Sequence, residues 1–204
     1  MRGKELMNYY DLKNILLSEK PSLQLRKYKN DLFSLIPEFY NTFQFDQKTV
    51  WHTKDVFEHI LMVVDGVEPD YRLRLAALFH DVGKPYTFFV DENGTGHFHG
   101  HWEKSENIFQ KYKENFFLSE EDINLVCKLI YYHDLTICSE NLSIFKNEFS
   151  EDEMSLLFSL KRADILAHNK IFVSDILKEL EAAKDSYYHS LTILDNYKEQ
   201  NEYN

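Results

Sequence analysis

Apolar residues recur three and four positions apart along most of the chain, the spacing that puts them on one face of a helix. Tyr9, Leu12, Ile15 and Leu16 mark a first helix, and Leu25, Tyr28, Leu32, Leu35 and Ile36 a second that Pro37 stops. Thr53 starts a third, with Val56, Ile60, Val63 and Val64 on one face and its end near Gly66. Pro69 opens a fourth, which carries LAALFHD over residues 75–81 and which Gly83 and Pro85 close. The pattern breaks over residues 86–99, YTFFVDENGTGHFH, where Asn93-Gly94 between short aromatic stretches signals a β-hairpin or an ordered loop. Helical spacing resumes over residues 102–115, 119–133 and 151–168, with Ser119 and Asp122 as a start signal for the middle one. A last helix runs from Val173 to about Tyr197, its stripe being Val173, Leu177, Leu180, Tyr187, Leu191 and Leu194. Such a stripe is either a dimer seam or, more commonly, a face packed on its own domain. The predicted fold class is all-α: a single domain over 1–204, with N-terminal helices over 1–50, a core over 51–168 and a C-terminal helix over 169–204.

Several polar residues sit on the wrong side of these stripes. His59 follows Val56 by three residues and precedes Val63 by four, so it shares their apolar face. His80 continues Leu73, Ala76 and Ala77, and Asp81 continues Ala77 and Leu78. His133 extends Ile123, Val126, Cys127 and Ile130, while Asp164 extends Leu157 and Leu160. Asp81 is also the wrong charge for a helix C-terminus, which favours cations. A buried carboxylate is too costly to persist unless paired or bound to a cation. One shared metal centre satisfies all of these residues together, and imidazole with carboxylate suits Zn, Mn, Fe, Co or Ni rather than Ca.

Composition narrows the options. Four prolines and six glycines argue against a linker-rich or loop-dominated all-β chain, and 44% hydrophobic with 28% charged residues is ordinary for a globular domain. The 34 acidic and 23 basic residues give a net charge of −11, whose field repels nucleic-acid backbones, so bulk nucleic-acid binding is not expected. A local pocket for a small phosphate-bearing ligand stays open. Cys127 and Cys138 form no CxxC pair, and the expectation is two reduced thiols. The N-terminal stretch has no apolar core of signal-peptide length, and no segment approaches the ~20 apolar residues of a membrane span, so a cytoplasmic protein without membrane association is expected.

His59 in DVFEHIL, His80-Asp81 in ALFHDVGKP, His101 in HFHGHWEKS, His133 in YYHD and Asp164 in KRADILAH are similar, in order, to the motifs of the HD superfamily of metal-dependent phosphohydrolases. More narrowly they resemble the HD domain of bacterial tRNA nucleotidyltransferases (CCA-adding enzymes), which tends to read DVWEHTL, LLHDIGKP, HFYGHE and RRAD. The likeness runs from about Trp51 to His168. The region before it is short for a nucleotidyltransferase head, and the acidic balance does not favour a tRNA-binding body. The resemblance therefore implies an HD-domain helical bundle standing alone.

It further implies that His59, His80, Asp81 and Asp164 bind one divalent metal, with Asp81 bridging to a second held by His101 and His133 in some members. The ion is Mn, Co, Ni, Fe, Zn or Mg, its identity open. Such a centre acidifies a bound water for in-line attack on phosphorus and offsets phosphate charge. Asp81, Lys84 and His97 are then the catalytic candidates: Lys84 as phosphate clamp or as neutraliser of the helix C-terminus, His97 as substrate contact or proton donor. Among the rest, His52 is a supporting or a surface residue; His99, His168 and His189 are structural or exposed; Lys161 and Arg162 are a solvated pair or line a phosphate pocket; Asp134 ends its helix. The expected function is hydrolysis of a phosphomonoester or cyclic phosphodiester, with a nucleotide as the expected substrate, by a monomer or homodimer. The alternatives are a non-catalytic nucleotide-binding or RNA-associated module and, less favoured, a di-iron oxygenase.

Overall fold

The computed structural model describes residues 6–202, with side chains described up to Thr192. Helix α1 (Tyr9–Leu16) starts at a capping box in which Asn8 and Asp11 satisfy each other's backbone N–H groups. The second expected helix is two: α2 (Pro21–Lys27) and α3 (Lys29–Leu35), separated at Tyr28, whose φ of −107° and ψ of 22° leave the helical region. Apolar spacing runs through this break because both pieces bury the same face. Pro37 does more than stop α3; it opens a 3-10 segment over Pro37–Thr42.

Helix α4 (Val56–Gly66) is capped by Asp55, which accepts from the Glu58 N–H at 2.7 Å, two residues later than the Thr53 start expected. Helix α5 (Tyr71–Phe79) is capped by Asp70, one residue after Pro69. It ends at Phe79; His80 is its C-cap, and residues 81–83 form a turn into the short α6 (Lys84–Thr87), where Pro85 lies in the first turn rather than acting as a stop. The hairpin is present: β1 (Phe89–Val90) pairs antiparallel with β2 (Gly96–His97), Phe89 opposite His97 and Val90 opposite Gly96. Gly94 takes φ +83° in the connecting turn, a conformation that glycine adopts without strain.

Then follow α7 (His101–Tyr112), a 3-10 turn over Lys113–Phe116, and α8 (Glu120–Tyr132), capped by Ser119 as expected. Helix α9 (Leu142–Glu148) was not legible in the pattern: it buries Phe145 alone and so shows no stripe. Helix α10 (Glu151–Ala167) begins at a Ser150/Glu153 capping box, and α11 (Lys170–Glu202) is longer at both ends than its stripe suggested.

Helix α5 lies at the centre, packed against α4 and α8, with α10 crossing all three. It is buried from Leu73 to Phe79, including the Arg74 side chain, whose guanidinium donates to the carbonyls of Leu16, Ser18, Val67 and Glu68. Helix α7 covers α8, α1 and α2 cover α5 and α4, and α11 runs along α10. The α11 stripe packs on its own domain: Leu180 and Tyr187 are buried, and Val173, Leu177 and Leu191 rest partly against the core, while Leu194 lies outside the described side chains. Among the described residues no helix is long and apolar enough to cross a membrane.

Gly83 lets the turn after α5 abut the start of α7. A methyl group there would lie 2.4 Å from the His101 carbonyl oxygen and 2.7 Å from the Ser105 nitrogen, and the Gly83 N–H donates to Ser105 Oγ at 2.9 Å. Gly83→Ala is therefore expected to push α6 from α7, destabilise the fold by about 1–3 kcal/mol and lower Tm by roughly 2–4 °C per kcal/mol. Thermal unfolding followed by circular dichroism measures this; an unchanged Tm would mean that the turn has slack.

Candidate metal centre

Four helix ends and one helix interior deliver the site. His59 stands in the second turn of α4, His80 and Asp81 at the end of α5, His101 at the first position of α7, His133 at the C-cap of α8 and Asp164 in the last turn of α10. His59, His80, Asp81, His101 and His133 are buried, and the Asp164 side chain is 16% exposed. All six metal-site candidates from the sequence thus converge.

The Asp81 carboxylate divides them into two sets. Its Oδ2 lies 3.2 Å from His59 Nε2 and 3.3 Å from His80 Nε2, and Asp164 Oδ1 completes that side at 2.9 Å from His59 Nε2. Its Oδ1 faces the other way, 3.2 Å from His101 Nε2 and 3.6 Å from His133 Nε2. His59, His80 and Asp81 form one cluster able to hold a metal ion, and Asp81, His101 and His133 another.

Hydrogen bonds behind the rings fix which nitrogens face inward. His80 Nδ1 lies 2.8 Å from the Ala77 carbonyl, His101 Nδ1 2.9 Å from that of Phe98 and His133 Nδ1 2.7 Å from that of Ile130. A carbonyl only accepts, so each Nδ1 carries a proton and Nε2 is the nitrogen that each ring presents to the site. Two such nitrogens meet at 3.2 Å between His101 and His133, and His80 meets His59 Nε2 at 3.3 Å. Four imidazole nitrogens thus converge in pairs on one buried carboxylate, a grouping that a cation between them would draw together. Neither Asp81 oxygen has a well-directed hydrogen bond, and His59 Nδ1 has none. This donor set fits divalent metal ions, with the outer hydrogen bonds orienting the ligands as metal sites require.

Electrostatics agree. Burial alone would raise the Asp81 carboxyl, but His80, Lys84, His101 and His133 hold it well below the usual range. Asp164 is likewise driven down, against its burial, by His168 and His59. Burial opposes a charged His80, yet Asp81 and Asp164 outweigh it and raise that imidazole, whereas burial keeps His133 low. A proton on His80 occupies part of the role a cation would take.

The catalytic candidates occupy less uniform positions. Lys84 is buried with Nζ 2.7 Å from Asp81 Oδ2, and it also reaches Gln47 Oε1 at 3.2 Å and His52 Nε2 at 3.4 Å. It is an ion-pair partner of the central carboxylate rather than a free neutraliser of the helix end. His97 sits on β2 at the rim of the cleft, held 2.9 Å from Asp91 Oδ2. Above the centre opens a cleft of about 540 Å³ that Lys84, His97, His99 and His101 line.

Three residues given minor roles belong to the site. His168, expected to be structural or exposed, has Nε2 3.5 Å from Asp164 Oδ1, and its place four residues after Asp164 on the same helix face was a readable signal. His52 packs edge-on against both His59 and His168, with ring centroids 4.7 Å apart in each case, and burial with the nearby Lys84 pushes its pKa down to about 2, so it stays neutral and accepts from Lys84. Lys161 is not a solvated residue: its Nζ donates to the carbonyls of His133 at 2.6 Å and Leu135 at 2.7 Å, and burial pulls the ammonium to about 8. Arg162, Asp134, His99 and His189 are exposed, and Asp134 lies just beyond the His133 C-cap of α8. The loop before α4 roofs the centre: Asn169 donates its N–H to the Trp51 carbonyl at 2.7 Å and its Nδ2 to that of Val50 at 3.0 Å, and the Gly96 N–H donates to that of Lys48 at 2.8 Å.

A helical bundle that buries histidines and aspartates around a polar centre defines a helical protein with a candidate metal site. Residues 50–169 match the family model of the HD domain, more than half of the chain, and the protein belongs to the HD domain family. A search of curated proteins returned no match.

Proposed function

We propose that the protein is a metal-dependent phosphohydrolase that cleaves a phosphomonoester or a cyclic phosphodiester. The observation that carries this reading is the division of the Asp81 carboxylate between two imidazole sets, which suits a pair of cations a bridging carboxylate apart. His59, His80, Asp81 and Asp164 would hold one ion, and Asp81, His101 and His133 the other. Bound divalent ions supply Lewis acidity, acidifying water and offsetting the charge that develops on phosphoryl oxygens.

The chain's own groups do the rest. Lys84 contributes a fixed positive charge beside the phosphate position, held by Gln47 and His52 as well as Asp81. His97, steadied by Asp91, delivers a proton to the leaving oxygen from the rim of the cleft. The roof over residues 48–52 limits water on one side. The motif likeness to the HD domain of tRNA nucleotidyltransferases supports a nucleotide as substrate, and placement in the cytoplasm is part of the same reading.

Phosphate release from a panel of nucleotides and 2′,3′-cyclic nucleotides, with Mn, Co, Ni, Zn, Fe or Mg added in turn, tests the proposal. Turnover with at least one metal and its abolition by a chelator are expected. No release from protein shown to carry metal overturns it.

A further inference from the structure

A second pocket, of about 210 Å³, opens beside the metal cleft between the end of α8, α10 and α11. His133, Asp134, Asp164 and His168 line both spaces, so the two are continuous at the metal ligands. Its far wall comes from α11, which lies wholly beyond the residues that match the HD domain. That wall is not generic to the centre and is free to set what this chain accepts.

The lining is apolar with negative charge at the rim. Ile137, Ile165 and Leu180 are buried there, Ile176 is half-buried, and the exposed carboxylates of Glu179 and Asp134 flank the opening. Lys161 is the cation among the lining residues, and its ammonium is already committed to the His133 and Leu135 carbonyls. A ligand group entering from the cleft meets apolar surface, with the exposed Asp134 and Glu179 carboxylates at the rim and the single lysine drawn back into the protein. The volume is below the ~300–1,000 Å³ of sites for larger ligands.

We infer that this pocket receives the organic half of the substrate, and that it selects a compact group without negative charge, Leu180 setting its depth and Glu179 repelling anionic groups. The inference rests on the cleft being a phosphate site. The substrate class is then a monophosphate ester of a neutral or amine-bearing group, such as a nucleoside monophosphate, in preference to a phosphate ester whose other end carries a carboxylate or more phosphates.

Equilibrium binding to the Mn-loaded full chain, measured by calorimetry, separates this from catalysis. The probes are inorganic phosphate, adenosine 5′-monophosphate and 3-phosphoglycerate, the two esters as their non-hydrolysable phosphonate analogues. The monophosphate should bind at least tenfold tighter than 3-phosphoglycerate. Leu180→Trp should weaken it tenfold or more and leave inorganic phosphate within twofold. Glu179→Lys, at an exposed position that tolerates exchange, should narrow the gap between the two esters about tenfold. Equal binding of both esters by the unaltered protein, or parallel loss of phosphate and monophosphate in Leu180→Trp, overturns the inference. The expected binding pattern without turnover overturns only the hydrolase reading, and absence of phosphate binding overturns both.

Discussion

Asp81→Asn is expected to lower the kcat/KM of the proposed phosphohydrolase by about a thousandfold or more and to cost the chain at least one of the two ions proposed for the centre. The substitution keeps the shape of the side chain, but it removes the charge and turns one oxygen into an NH2 group that binds no metal. Oδ2 faces His59 and His80 while Oδ1 faces His101 and His133, so whichever oxygen is lost, one set loses its carboxylate and the other its full charge. Several kcal/mol of transition-state stabilisation go with the metal charge, and each 1.36 kcal/mol is tenfold in rate. Loss of fold is checked separately: the lowered Asp81 carboxyl and its ion pair with Lys84 stabilise the fold, so the chelated variant should melt lower than the chelated parent yet keep the same helical circular-dichroism spectrum and a cooperative transition. His101→Ala, which touches the second set alone, should leave one ion bound. Elemental analysis with steady-state kinetics checks both variants; Asp81→Asn retaining two ions, or activity within tenfold of the parent, would sink the bridging role.

The site was legible in the chain wherever a helix carried it. His59, His80, His133 and Asp164 each continue an apolar stripe, so helical geometry alone sends them inward, and the helical architecture follows from the same spacing. His101 was not readable in this way. It begins α7 after Gly100, whose φ of +77° turns the chain, and no stripe precedes it; the family likeness alone named it. His52 sits on a loop with no period and becomes part of the site only because Asn169 holds the neighbouring Val50 and Trp51 carbonyls. Lys161 looked solvated because lysine usually is, yet its long stem reaches two carbonyls at the end of α8, and this keeps its ammonium buried. Local periodicity reports faces of helices. It does not report which loop closes over them.

Removal of the metal is expected to lower Tm substantially, and by more at pH 8 than at pH 6. An ion that binds only the folded state stabilises it by about 2.7 kcal/mol at a hundredfold excess over Kd, and a chain of this size shifts by roughly 2–4 °C per kcal/mol, so each occupied site adds about 5–10 °C. The pH dependence follows from His80. Burial disfavours its charged form, but Asp81 and Asp164 raise its pKa in the metal-free protein, so its protonation stabilises the fold below the ordinary histidine value, and that contribution is lost as pH rises through the raised value. Above it the two carboxylates, held ionised well below the usual range, face one another with less compensation from the imidazoles. Metal binding requires the neutral ring and therefore competes with that proton at low pH. The gap between metal-loaded and chelated protein should thus widen with pH, and scanning calorimetry at pH 6, 7 and 8 with and without chelator measures it. A gap that stays constant or closes toward pH 8 would mean that His80 is not displaced from its proton by the ion, and so is not a ligand.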